Sequence, residues 1–178
     1  MVTNVAMLRG INVGGRNRIK MPALVELFFA LGHTDVVTYI QSGNVVFKSR
    51  SRSASATART VRERIARDLG LDVAVLIRTR EELAGVVADN PFLLTDAEPG
   101  RLHVTFLGEV PDPEAARALE EFDAGVDEVR VLGREVYLHC PDGYGNTKLA
   151  PTLIERRLRA VSTTRNWNTV TKLLELAG

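Results

Sequence analysis

The chain has 178 residues, 45% of them hydrophobic and 25% charged, proportions that exclude collagen-like, disulfide-scaffold and wholly disordered proteins. Its 23 basic and 22 acidic side chains leave a net charge of +1, so no global field draws it to nucleic acid or membrane, and any anion-binding surface is local. No apolar run reaches the roughly 18 residues of a membrane helix. Met1-Val2-Thr3-Asn4 opens no signal-peptide pattern, and the single cysteine, Cys140, has no internal partner. A cytoplasmic location is therefore expected.

In chain order, Val5 to Leu8 predicts a short strand. Leu24, Leu27, Phe28 and Leu31 recur at helical spacing after Pro22, until Gly32 stops the run. Val36 to Ile40 and Val45 to Phe47 read as strands about a hairpin, Gln41-Ser42-Gly43-Asn44. A Ser/Arg-rich loop from Ser49 to Ser55 leads to a helix carrying Val61, Ile65 and Leu69 and ending at Gly70. Val73 to Ile77 is a fourth strand, and Glu81 to Ala88 a connecting helix.

After a punctuated linker (Asn90-Pro91, Glu98-Pro99-Gly100) the order recurs. Leu102 to Leu107 is a strand and Pro113 to Phe122 a helix. Val129 to Leu132 and Glu135 to Cys140 flank Gly133-Arg134, and Lys148 to Arg159 is a helix. A short strand near Val161 to Thr163 precedes a closing helix with Trp167, Val170, Leu174 and Ala177. The economical reading is α+β: β-α-β-β-α-β twice, a duplicated ferredoxin-like fold with an extra helix after each unit. The first unit with its linker helix spans 1–89, the linker 90–101, and the second unit with the C-terminal helix 102–178. Thr79-Arg80 and Thr164-Arg165 read as corresponding exits from the two units.

Four motifs run through this framework: Leu8-Arg9-Gly10-Ile11-Asn12-Val13-Gly14-Gly15, Thr38 to Phe47, Gly145-Asn146-Thr147-Lys148-Leu149, and Thr163 to Val170. Together they resemble the bacterial domain-of-unknown-function family numbered 1697, over essentially the whole chain. The resemblance implies a duplicated ferredoxin-like fold in a bacterial cytosolic protein. It brings no reaction and no catalytic residues. Thr147 stands where serine is more usual before the lysine.

In a ferredoxin-like unit with strand order 4-1-3-2, strands one and two run the same way, so the loop after the first strand neighbours the hairpin after the second. That brings Arg9, Asn12, Gly14, Gly15 and Lys20, with Arg16 and Arg18, beside Gln41, Ser42 and Asn44. Glycines that admit positive φ allow backbone N–H groups to converge on an anion. The competing reading makes the glycines turns, the asparagines caps and the arginines solvated charges. The same topology gathers Asp142, Tyr144, Asn146, Thr147 and Lys148 near Arg165, Asn166, Trp167 and Asn168, where capping residues and a core tryptophan offer the plainer account.

Neither cluster has the spacing of a dinucleotide fingerprint or a P-loop. His139 and Cys140 are strand neighbours that point to opposite faces and form no dyad. His33 and His103 lack a second ligand at metal spacing and read as surface or capping residues, so no metal or cofactor is expected. Arg50, Arg52, Arg59, Arg62, Arg64 and Arg67 form a basic stretch in segment 50–67. With aromatics only 6% of residues, RNA is the less favoured partner. The first functional reading is binding of a small phosphorylated or anionic ligand at the glycine-, asparagine- and arginine-rich loops. The alternatives are an enzyme acting on such a ligand without a recognisable catalytic motif, and a nucleic-acid or protein interaction module using segment 50–67. The sequence leaves oligomeric state open.

Overall fold

The computed structural model describes residues 1–178. It is a mixed α+β protein with two four-stranded antiparallel sheets and six helices. The first sheet and its helices are β1 (Val2–Leu8), α1 (Met21–Ala30), β2 (Thr34–Tyr39), β3 (Asn44–Ser49), α2 (Ala54–Leu69), β4 (Val75–Thr79) and α3 (Arg80–Ala88). The second set is β5 (Leu102–Leu107), α4 (Pro113–Glu120), β6 (Glu128–Leu132), β7 (Glu135–His139), α5 (Pro151–Leu158), β8 (Ser162–Asn166) and α6 (Trp167–Ala177). Strand order is β2-β3-β1-β4 in one sheet and β6-β7-β5-β8 in the other. Two compact units result: Met1–Gly85 with Lys172–Gly178, and Val86–Thr171.

In the first unit, Ala6, Leu8, Val45, Phe47 and Ile77 of the sheet pack with Leu24, Leu27 and Phe28 of α1 and Val61 and Ile65 of α2. Phe28 meets Phe47 edge-on at 4.9 Å, a favourable aromatic geometry. Helix α2 starts where the Ser53 hydroxyl accepts from Ala56 N–H and stops at Gly70 in the left-handed region, so both ends have their standard caps. Edge strand β2 carries an irregularity between Thr34 and Val37, with Asp35 at φ 52°. Such a bulge interrupts the ladder that an exposed edge would offer to another chain.

In the second unit, Leu107, Val136, Leu138 and Cys140 pack with Leu119 of α4 and Ile154 and Leu158 of α5. Asp112 caps α4 through Glu114 and Ala115 N–H. Both β1 and β5 are buried on both faces: Val5, Ala6, Met7 and Leu8 are inaccessible, as are Val104, Phe106 and Leu107.

Most boundaries shift by a few residues from the sequence reading, and three of the shifts have a clear local cause or consequence. Strand β4 lies at Val75–Thr79 rather than Val73–Ile77, because its ladder to β1 runs from Leu8↔Val75 to Asn4↔Thr79. Helix α5 begins at Pro151, not Lys148. The Thr147 hydroxyl accepts from Leu149 N–H, and Ala150, preceding proline, is extended as that position favours. Strand β8 spans Ser162–Asn166, so Arg165 and Asn166 lie within the sheet and not beyond it.

Candidate functional site

The loop from Arg9 to Lys20 is anchored at its entry by Leu8 N–H to Gly43 O at 2.8 Å and Arg9 N–H to Ala74 O at 2.9 Å. Gly14 and Gly15 both have positive φ, and Arg16 N–H returns to Val13 O at 3.0 Å, the requirements of a tight type I′ turn. Asn12, itself at φ 54°, organises the rest. Its Nδ2 donates to Ile19 O at 2.9 Å and to Gln41 O at 2.7 Å, while its Oδ1 accepts from Ile19 N–H at 2.9 Å. Asn17 Nδ2 closes the ring on Gly10 O at 3.2 Å.

The hairpin side is equally committed. Asn44 is inaccessible and donates from Nδ2 to Tyr39 O at 3.1 Å and to the Ser42 hydroxyl at 2.9 Å. Gly43 has φ 81°, and a Cβ there would lie 2.6 Å from Ile11 Cδ1. Only glycine allows the buried Ile11 to seat on the hairpin. Loop and hairpin are therefore neighbours, but their asparagine amides hold backbone. Gln41 contributes its carbonyl, and its side chain is exposed. What the loop presents outward is charge: Arg9, Arg16, Arg18 and Lys20 are all exposed. No acidic residue precedes Glu26 in the chain, and Arg16, Arg18 and Lys20 have no ion-pair partner.

The second cluster is divided by burial. Lys148 and Asn168 are exposed, whereas Arg165 is 8% exposed. Arg165 donates from Nη1 to the Thr163 hydroxyl at 2.7 Å and to Thr164 O at 3.0 Å. Burial pushes its pKa down to about 10, which still leaves it charged at neutral pH. Its counterpart in the first sheet is Arg78, not Arg80: Arg78 faces Val5 in the ladder as Arg165 faces Val104, and Arg78 is 1% exposed. Asn166 Oδ1 accepts from Asn168 N–H at 2.9 Å, and its Nδ2 donates to Gly100 O at 3.2 Å.

His103, read from sequence as a surface or capping residue, is instead buried beneath Tyr144. The rings stack at 4.4 Å and 20°, and Asn166 Nδ2 lies 3.4 Å from His103 Nε2. Desolvation lowers the His103 pKa and raises that of the Tyr144 phenol. His139 pairs with Glu128 at 3.0 Å across the β6–β7 ladder. Cys140 is buried, and burial raises its thiol pKa to about 11.

The basic helix is largely neutralised. Arg62 grips Asp72 with two hydrogen bonds of 2.7 and 3.0 Å, Arg64 and Arg67 share Asp68, and Arg59 lies 3.9 Å from Glu63. Hydrogen bonds from these arginines hold the Asp68 and Asp72 carboxyls below the usual carboxylate range. The strand aromatics Phe47, Phe106 and Tyr137 are all buried, so they form no exposed platform for bases.

A family model described as a protein of unknown function (DUF1697) matches residues 1–137. The chain belongs to the DUF1697 family. No curated protein matches it. Among solved structures this DUF1697 chain is similar to the conserved bacterial protein SP0830 from Streptococcus pneumoniae. The two are 22% identical, with 99% of each chain covered and a TM-score of 0.79. That likeness is one of fold. No helix of the DUF1697 chain is long and apolar enough to cross a membrane.

Proposed function

We propose that the protein binds a small phosphorylated or otherwise anionic ligand at the loop–hairpin end of its first unit. The observation that carries this reading is the set of exposed cations Arg16, Arg18 and Lys20, without ion-pair partners, on a loop whose backbone Asn12 fixes. Arg9 extends the same face. The α1 N-terminus follows directly, without an acidic residue in its first turn, and adds positive potential there. A loop ordered before the ligand arrives forfeits little entropy on binding. Lys148 and Asn168 are a second exposed polar place in the other unit. Arg165, being buried, acts there through the backbone it holds.

We read the two halves as a duplicated ferredoxin-like unit, supported by their shared element order, matching strand orders and the equivalent placement of Arg78 and Arg165. The lone buried cysteine fits a cytoplasmic setting. Ion pairing along α2 weighs against a nucleic-acid role for segment 50–67.

Thermal unfolding against inorganic phosphate, nucleotides, sugar phosphates and short RNA tests the reading. A ligand at about 100 times its Kd adds roughly 2.7 kcal/mol, and each kcal/mol raises Tm by about 2–4 °C at this size. The expected result is a salt-tolerant shift with one small anion class, diminished in R16A/R18A. A shift indifferent to those substitutions, or seen only with RNA and erased by salt, overturns it.

A further inference from the structure

At the opposite end of the first sheet, before β2 and after β3, a cleft of about 540 Å³ opens between the turn after α1 and the segment leading into α2. Its walls include Leu31, His33, Arg50, Ala56, Thr57 and Thr60, and no carboxylate lines it. That volume lies within the range of small-molecule pockets, which combine apolar wall with a few placed polar groups.

Few polar groups of the cleft are left to meet a ligand. The Thr57 hydroxyl donates to Ser53 O and the Thr60 hydroxyl to Ala56 O, both at 3.0 Å, and the Ser49 hydroxyl accepts from Ser51 N–H. These hydroxyls are already engaged with backbone. Arg50 has no ion-pair partner, and neither ring nitrogen of His33 has a hydrogen-bond partner in the protein. The imidazole is nonetheless fixed, lying 4.7 Å from the Phe47 ring and 5.7 Å from that of Phe28. Such packing defines where its N–H can point. Desolvation lowers its pKa, so at neutral pH it is an uncharged ring with one donor and one acceptor. The nearby charges Lys48 and Asp35 satisfy each other at 2.8 Å.

We propose that this cleft is a second ligand site, taking the phosphate group of a small phosphorylated molecule between Arg50 and His33 and the molecule's apolar body against Leu31 and Ala56. Arg50 supplies charge and paired N–H donors to phosphate oxygens, and His33 donates its ring N–H. The neutral imidazole adds a donor without adding charge, so the charge of the phosphate is met by Arg50. The site goes beyond the loop–hairpin reading, from which it is separated by the length of the sheet.

The test is an NMR titration of the full chain with inorganic phosphate, and in parallel with pyrophosphate, at constant ionic strength, reading backbone amides and the histidine rings. Expected are saturable shifts at Gly32, His33 and Ser51 and in the His33 ring. Arg50→Ala should weaken them about tenfold, the equivalent of one charge-assisted hydrogen bond, and Arg50→Lys by less. The R16A/R18A variant should leave them unchanged. Shifts that do not saturate, that survive Arg50→Ala, or that appear only along Gly10–Lys20 overturn the proposal, and the last of these leaves the loop–hairpin reading standing.

Discussion

The side-chain amide of Asn12 donates to the backbone carbonyl of Gln41 at 2.7 Å, across 29 residues of sequence. One side chain thereby fixes both a loop and the hairpin beside it, because the same amide and its oxygen also hold both polar groups of Ile19. Asn12→Ala removes three hydrogen bonds and leaves a non-glycine residue at positive φ without asparagine's local compensation. An equilibrium urea titration should show a loss of about 2–4 kcal/mol. Asn12→Gly, which relaxes φ but not the hydrogen bonds, should cost less. Equal losses in the two variants would assign no part of the effect to backbone conformation.

Gly43→Ala should destabilise by about 1–3 kcal/mol, through its left-handed φ and through collision with Ile11 and Leu8. Shortening the neighbour gives the discriminating measurement. In Gly43→Ala/Ile11→Ala the two losses should sum to more than the double variant shows, since the collision with Ile11 is relieved while strain remains. Strict additivity in denaturant titrations would remove the steric component.

His103 gives the fold a pH dependence whose sign follows from burial. Desolvation depresses its folded pKa below the ordinary 6.5, so the unfolded chain binds the proton more readily. The stability this contributes is fully present above pH 6.5 and is lost as pH falls toward the folded pKa. His33, depressed by the same cause, adds in the same direction. Replacing His103 with Phe preserves a ring beneath Tyr144 and removes its titration. The slope of unfolding free energy between about pH 7 and pH 5 should flatten in that variant relative to the parent, and an unchanged slope would contradict the assignment.

Cys140 should be silent toward thiol reagents in the native protein. It is inaccessible, and its thiol pKa is raised to about 11, so both access and thiolate are lacking. Reaction with a disulfide reagent at pH 8 should follow the unfolding transition in denaturant. Rapid labelling in buffer would contradict this burial.

The apolar strands and amphipathic helices were legible because burial imposes their periods, and the nearness of loop and hairpin followed from strand order. The extent of polar strands was not. The last strand was read as ending at Thr163, since Arg165 and Asn166 carry little strand preference, yet the ladder to β5 and a hydroxyl pair between Thr105 and Thr164 at 2.7 Å hold Ser162–Asn166 in the sheet. Helix α5 was overextended because Leu149 is buried like a helical residue while lying in the preceding loop. His103 meets Tyr144 and Asn166 only through tertiary folding, so no local spacing marks it. At the candidate site, the sequence named the residues that come together but could not separate asparagines spent on backbone from cations left facing water.

The division of the chain into units cuts through α3 and α6, and residues 172–178 complete the unit that Met1 begins. There Leu173 is inaccessible and Arg80 Nε donates to the Gly178 carbonyl oxygen. The first unit is thus assembled from two separate stretches of chain, while Val86–Thr171 is a single continuous stretch inserted between them. Cutting the chain at either boundary of that insert therefore divides a helix, so neither unit can be excised without severing α3 or α6.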